Sequence, residues 1–100
     1  MKEPLSLEPG RIVISTQGRD KGRPFLIREN LGGQMVTVVD GLTHPLERPK
    51  KKKIKHLHAK PIMVNWDMIR PEGGRVQDSD VRRALEQNGF AVERSLCEEG

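Results

Sequence analysis

Apolar positions in the first sixty residues come in short, dense groups separated by glycine-rich polar stretches. Gly10 precedes Arg11-Ile12-Val13-Ile14-Ser15, a β-branched run that predicts a strand. Thr16 to Arg23 is polar and carries Gly18 and Gly22, which predicts a tight loop. Pro24-Phe25-Leu26-Ile27-Arg28-Glu29 predicts a second strand, with proline at the first position, where a missing donor is tolerated. Asn30-Leu31-Gly32-Gly33 reads as a turn, and Met35-Val36-Thr37-Val38-Val39 as a third strand closing a hairpin. Asp40-Gly41 is a turn dipeptide, and a short strand is expected around Thr43 to Leu46, interrupted by Pro45. The lysines at 50–53 are expected to lead into a last strand over Ile54-Lys55-His56-Leu57-His58, with His56 and His58 on one face. No helical period occurs before residue 61. Short, closely spaced strands with glycine turns predict a small barrel rather than a βαβ unit.

Beyond residue 61 the pattern changes. Ile62, Met63, Val64 and Trp66 are apolar, but Pro71, Gly73 and Gly74 break any period, so 61–77 reads as a connector laying Trp66 against the barrel. From 78 to 88, Val81, Ala84 and Leu85 share one face at helical spacing. Asp78 or Ser79 is the expected cap, Asp80 suits the N-terminal dipole, and Gly89 stands where a helix stop belongs. About ten residues do not hold a helix alone, so it must dock. The predicted organisation is a loose N-terminal arm at 1–7, a barrel at 8–60, a connector at 61–77 and a short helix with its tail at 78–100.

Charge sharpens this picture. The chain carries 18 Lys and Arg against 14 Asp and Glu, a net of +4. Residues 1–60 hold 13 cations and 6 acids, a net of +7, whereas 61–100 hold 5 and 8, a net of −3. Such asymmetry predicts a polyanion-binding surface with an acidic appendage. One cysteine, Cys97, forms no internal disulfide, and no signal-peptide core or membrane-length apolar run occurs, so a cytoplasmic protein without membrane contact is expected.

The order glycine, β-branched strand, Gly18-Arg19-Asp20-Lys21-Gly22, second strand resembles the KOW motif. With the following Val38-Val39-Asp40-Gly41 and Glu47-Arg48-Pro49-Lys50-Lys51-Lys52, the pattern is similar to the large-subunit ribosomal protein fourteen-e family and its small bacterial relatives. The resemblance covers roughly half the chain. It implies a mainly β, five-stranded SH3-like barrel, ribosome-associated RNA binding and a role in translation. The net acidic 61–100 segment departs from the usual basic character of ribosomal proteins and suits a transient factor better than a permanent component.

The residues make sense for RNA independently of that resemblance. Arg19, Lys21 and Arg23 crowd one glycine-flanked loop, where cations and backbone amides can embrace a phosphate; a merely solvated turn is the plain alternative. Arg48, Lys50, Lys51, Lys52, Lys53, Lys55 and Lys60 fall within 48–60 without an acidic residue. Lysines on an edge strand also deter sheet aggregation, but that purpose needs one or two rather than four in a row. The expected RNA contacts are Arg19, Lys21, Arg23, Arg48, Lys50, Lys51, Lys52, Lys53, Lys55 and His56, with Gly10, Gly18 and Gly22 as structural glycines. The aromatics are Phe25, Trp66 and Phe90. Phe25 reads as core and Trp66 as packing, so recognition is expected through phosphates and RNA shape rather than base stacking.

No cofactor or metal is expected: His56 and His58 have no third ligand nearby. Ser15, Ser79 and Ser95 lack a nucleophile signature, and no phosphate-binding Walker loop occurs, so an enzyme is not expected. The predicted partner is RNA, in particular ribosomal RNA, with ribosomal or transcription proteins as further partners of a chain that is monomeric when free. The alternatives are a protein-interaction module of the transcription or translation machinery and a duplex-DNA binder.

Overall fold

The computed structural model describes residues 6–90; Ser95, Cys97 and the acidic tail beyond Phe90 lie outside the described residues. The chain forms β1 (Arg11–Ser15), β2 (Pro24–Gly32), β3 (Met35–Val39), β4 (Lys50–Lys53), β5 (Leu57–Met63), α1 (Trp66–Ile69) and α2 (Asp78–Gln87). The five strands make one antiparallel sheet in the order β4-β3-β2-β1-β5. β4 and β5 are therefore the two ends of the sheet, yet a single 3₁₀ turn, Ile54–His56, joins them. Three residues span only about 10 Å, so the sheet must curl until its ends nearly meet. The fold is thus mainly β and barrel-like, with a short C-terminal helix.

β1, β3 and the first part of β2, Pro24 to Ile27, read as nearly unbroken apolar runs because both of their faces are covered, whereas Arg28 to Gly32 of β2 are exposed. The paired residues Val13 and Phe25, and Ile27 and Val38, point inward with Val36. Their neighbours Ile12, Leu26 and Val39 point outward, where Val81, Ala84 and Leu85 of α2 cover them together with Val64. Burying Val81 and Leu85 contributes about 1.5–3 kcal/mol each; this tertiary contact stabilises a helix too short to stand alone. α2 ends as expected: Gly89 has φ +89°, and the amides of Gly89 and Phe90 close on the carbonyls of Glu86 and Leu85 at 3.0 and 2.8 Å.

Several local expectations are corrected. No strand forms at 43–46, because the fully buried Asp40 carboxylate takes the amides of Leu42 and His44, at 2.9 and 2.8 Å, and the Thr43 hydroxyl at 2.8 Å. Those donors satisfy a carboxylate instead of a ladder. The lysine run does not lead into a strand; it is one, and the expected strand over 54–58 is broken by the closing 3₁₀ turn. His56 therefore sits in that turn, while His58 lies in β5 opposite Ile14, and the two do not share a strand face. β2 runs through Asn30 and Leu31 to Gly32, and the hairpin turns at Gly33 and Gln34. The cap of α2 is Gln77, whose amide donates to Asp80 at 2.9 Å; the Asp78 carboxylate instead accepts from the Leu46 amide at 2.8 Å. Ser6 and Leu7 are not loose. Arg11, largely buried, donates to the Ser6 carbonyl and hydroxyl, and Asn30 donates to the Leu7 carbonyl.

Gly10 is needed by contact rather than by any loop. Its amide donates to Ile27 and its carbonyl accepts from Val64, which stitches the entry of β1 to the exit of β5. A Cβ there would lie 2.1 Å from the Val64 carbonyl oxygen, at a φ of +100°.

Candidate nucleic-acid interface

Strand β4 is lysine at every position, and only pairing with β3 makes it a strand. Val38, Thr37, Val36 and Met35 stand opposite Lys50, Lys51, Lys52 and Lys53. Directly opposed residues share a face, so Lys52 shares the inner face of Val36. Its side chain is only 10% exposed, and its Nζ lies 3.4 Å from Asp20 Oδ2 and within 3.5 Å of Ser15 Oγ. Lys50, Lys51 and Lys53 are exposed. Lys51 and Lys53 lie on one face about 6.6 Å apart at the Cα atoms. Two unit charges at that separation repel by about 0.6 kcal/mol in bulk water, which a polyanion would relieve.

The second half of the site is the loop between β1 and β2. A 3₁₀ turn over Gly18–Asp20 is flanked by Gly18 (φ +79°) and Gly22 (φ +87°), both with open space where a Cβ would point. The amides of Lys21, Gly22 and Arg23 close on the carbonyls of Gly18, Ser15 and Asp20. Those three donors hold the loop's shape, so what the loop presents outward is the exposed side chains of Arg19 and Lys21. Arg23 is half-buried and reaches toward Asp40, 4.0 Å away.

Asp20 joins the two halves. Its carboxylate lies 3.3 Å from His44 Nε2 as well as 3.4 Å from Lys52, and the His44 ring packs at a tilt on Phe25, centroids 5.6 Å apart. Burial alone would push the Asp20 carboxyl up. The hydrogen bonds and charges of His44 and Lys52 outweigh it and hold the group below the ordinary carboxylate value. A line of contacts thus runs from the core through His44 and Asp20 to the lysine strand. The closing turn adds Lys55, exposed, and His56, half-buried, whose carbonyl accepts from Thr16 at 2.9 Å where the loop begins. Arg48 is exposed in the turn that enters β4, its amide donating to Pro45 at 2.9 Å.

The loop, β4 and the closing turn therefore lie together, but not all their cations have the same surroundings. Arg19, Lys21, Arg48, Lys50, Lys51, Lys53 and Lys55 face solvent, whereas Lys52 and Arg23 reach toward carboxylates of the fold. Gly10 lies away from this loop, at the junction with Val64. Sequence reasoning missed Asp20 and His44. Asp20 looked like an interruption among cations, although a lone acid in a basic loop is itself a signal of an internal ion pair. Among the described residues, no cluster of three His, Cys, Asp or Glu could hold a metal ion, and no helix is long and apolar enough to cross a membrane.

No family model matches the chain. A curated relative does: the large ribosomal subunit protein eL14 of Hyperthermus butylicus is 27% identical over 85 residues, covering 85% of this chain and 81% of that protein. The chain is distantly similar to the eL14 family. The aligned length exceeds the barrel, so the likeness to eL14 extends past the loop and lysine strand that first suggested it.

Proposed function

We propose that this protein binds structured ribosomal RNA, on or near the large ribosomal subunit in the cytoplasm, mainly through phosphates. The observation that carries the reading is the joining of two basic elements, the Gly18–Gly22 loop and β4, into one surface by the Asp20–Lys52 ion pair. Arg19, Lys21, Arg48, Lys50, Lys51, Lys53 and Lys55 supply the contacts. Lys52 and Arg23 hold the loop and strand in place. The ribosomal relative supports the setting and a non-enzymatic role. Positioned cations on a rigid edge read the spacing of phosphates and hence RNA shape.

The test is binding to ribosomal RNA fragments across a salt series, comparing wild type with a Lys50→Glu, Lys51→Glu, Lys53→Glu variant. With about four to six of these seven cations on phosphates at once, the slope of log affinity against log salt is about −3 to −4. The variant should bind at least tenfold more weakly with a shallower slope. Equal affinities and slopes would reject the proposal.

A further inference from the structure

A second feature lies beside the segment that enters the lysine strand. An open cleft of about 820 Å³ runs between β2, the segment entering β4, α1 and the start of α2. Its wall carries Arg28, Arg70 and Arg75 against Glu47, Asp67 and Asp78, so its formal charge is zero. The Arg28 guanidinium sits over the Trp66 ring, 5.2 Å from its centroid. Asp67 and Arg70 pair with each other at 3.8 Å, and the Asp78 carboxylate accepts from Leu46. Among the described residues Glu47 and Arg75 form no ion pair.

We propose that this cleft receives an unpaired RNA base, stacked on the outer face of the Arg28 guanidinium. Three observations converge. A guanidinium already held over an indole is a partly preformed platform, since bases stack on arginine planes as they do on aromatic rings. A neutral wall with an unpaired arginine and an unpaired carboxylate does not attract bare phosphate; it suits an uncharged group with both donors and acceptors on its edge, as every base has. The rim also adjoins, along the chain, the segment that enters the lysine strand. Glu47 is three residues from Lys50, at most about 11 Å along the chain, a span that a few nucleotides of a single strand cover. A strand whose phosphates lie on β4 therefore reaches the cleft. The inference rests on the RNA-binding reading and adds single-stranded base capture to it.

The chain has one tryptophan and no tyrosine, so its emission reports on this cleft alone. Titration with a six-nucleotide single-stranded oligoadenylate should quench Trp66 emission to a plateau, and a duplex of equal length should not. Arg28→Ala should weaken that binding about tenfold and, because it also removes the contact with Trp66, lower the melting temperature by only a few degrees. Arg28→Lys, which keeps the charge and loses the plane, should not restore it. A Lys51→Glu, Lys53→Glu variant should lose affinity for ribosomal RNA fragments and still show the quench at low salt. Retention of the oligonucleotide with unchanged emission, or equal affinities of wild type and Arg28→Ala, would overturn the base site while leaving the phosphate surface standing. Failure to bind any RNA would overturn both. Stronger quenching by a mixed-charge peptide than by oligoadenylate would make the cleft a protein-docking groove instead.

Discussion

The four lysines of β4 should separate into two kinds when they are removed one or two at a time. Lys52 Nζ lies 3.4 Å from the Asp20 carboxylate, and both side chains are more than four-fifths buried. Their attraction is about 5 kcal/mol gross at an effective dielectric of about 20, largely offset by desolvation. Lys52→Ala leaves Asp20 partly buried with only His44 beside it, so the net loss should be about 1–2 kcal/mol, between exposed and fully buried pairs. For a domain of this size that is a fall of roughly 4–16 °C in melting temperature. Lys51 and Lys53 are exposed. Removing both should change stability by less than about 0.5 kcal/mol, yet lower the salt slope of RNA binding by about 1.4 to 1.8. Thermal melts and filter binding across a potassium chloride series measure the two quantities. A Lys52→Ala variant that melts like wild type and loses as much salt dependence per lysine as Lys51→Ala would refute the reasoning.

Other outcomes follow from the same geometry. Because the folded Asp20 carboxyl is held below its ordinary value, the stability it confers is present above about pH 4 and is lost as pH falls through the folded value; the gap in melting temperature between wild type and Asp20→Asn should therefore shrink as pH falls below about 4. Gly10→Ala places a methyl group against the Val64 carbonyl at an unfavourable φ and should cost about 2 kcal/mol or more, read by urea titration. Leu85→Ala should destabilise by about 2–5 kcal/mol, because it empties the contact between α2 and the outer face of the sheet; a loss below about 1 kcal/mol would mean that the helix is not anchored there.

The first three strands were legible because their apolar content is β-branched and bounded by glycine. β1 and β3 fall at the predicted residues, and β2 starts where Pro24 said it would. The last two strands were not, for two different reasons. Four lysines carry no strand signal of their own; β4 exists because β3 offers it a ladder. The alternation over 54–58 was genuine periodicity, but the chain has to turn there to close the barrel. At 43–46 the expected strand lost to one buried carboxylate, whose effect depends on Asp40 being enclosed. The candidate site was legible as charge, through the basic loop and the lysine run. Which cations hold the fold together was not, since the Asp20–Lys52 contact joins residues 32 positions apart. Gly10, Gly18 and Gly22 looked alike in sequence; only the first is crowded by backbone.

The three-residue turn between β4 and β5 also constrains the order of folding. β1, β2 and β3 are neighbours in sequence and can assemble as a meander with short loops. β5 must return across more than forty residues to pair Leu57 with Ser15, a contact whose loop-closure entropy makes it late in a topology-limited reaction. On a chain emerging from its N-terminus, the loop of Arg19 and Lys21 can form before β5 has been synthesised, whereas the closing turn with Lys55 takes its place only on closure. A nascent chain would therefore acquire its basic surface in two kinetic steps, the loop first and the closed edge second.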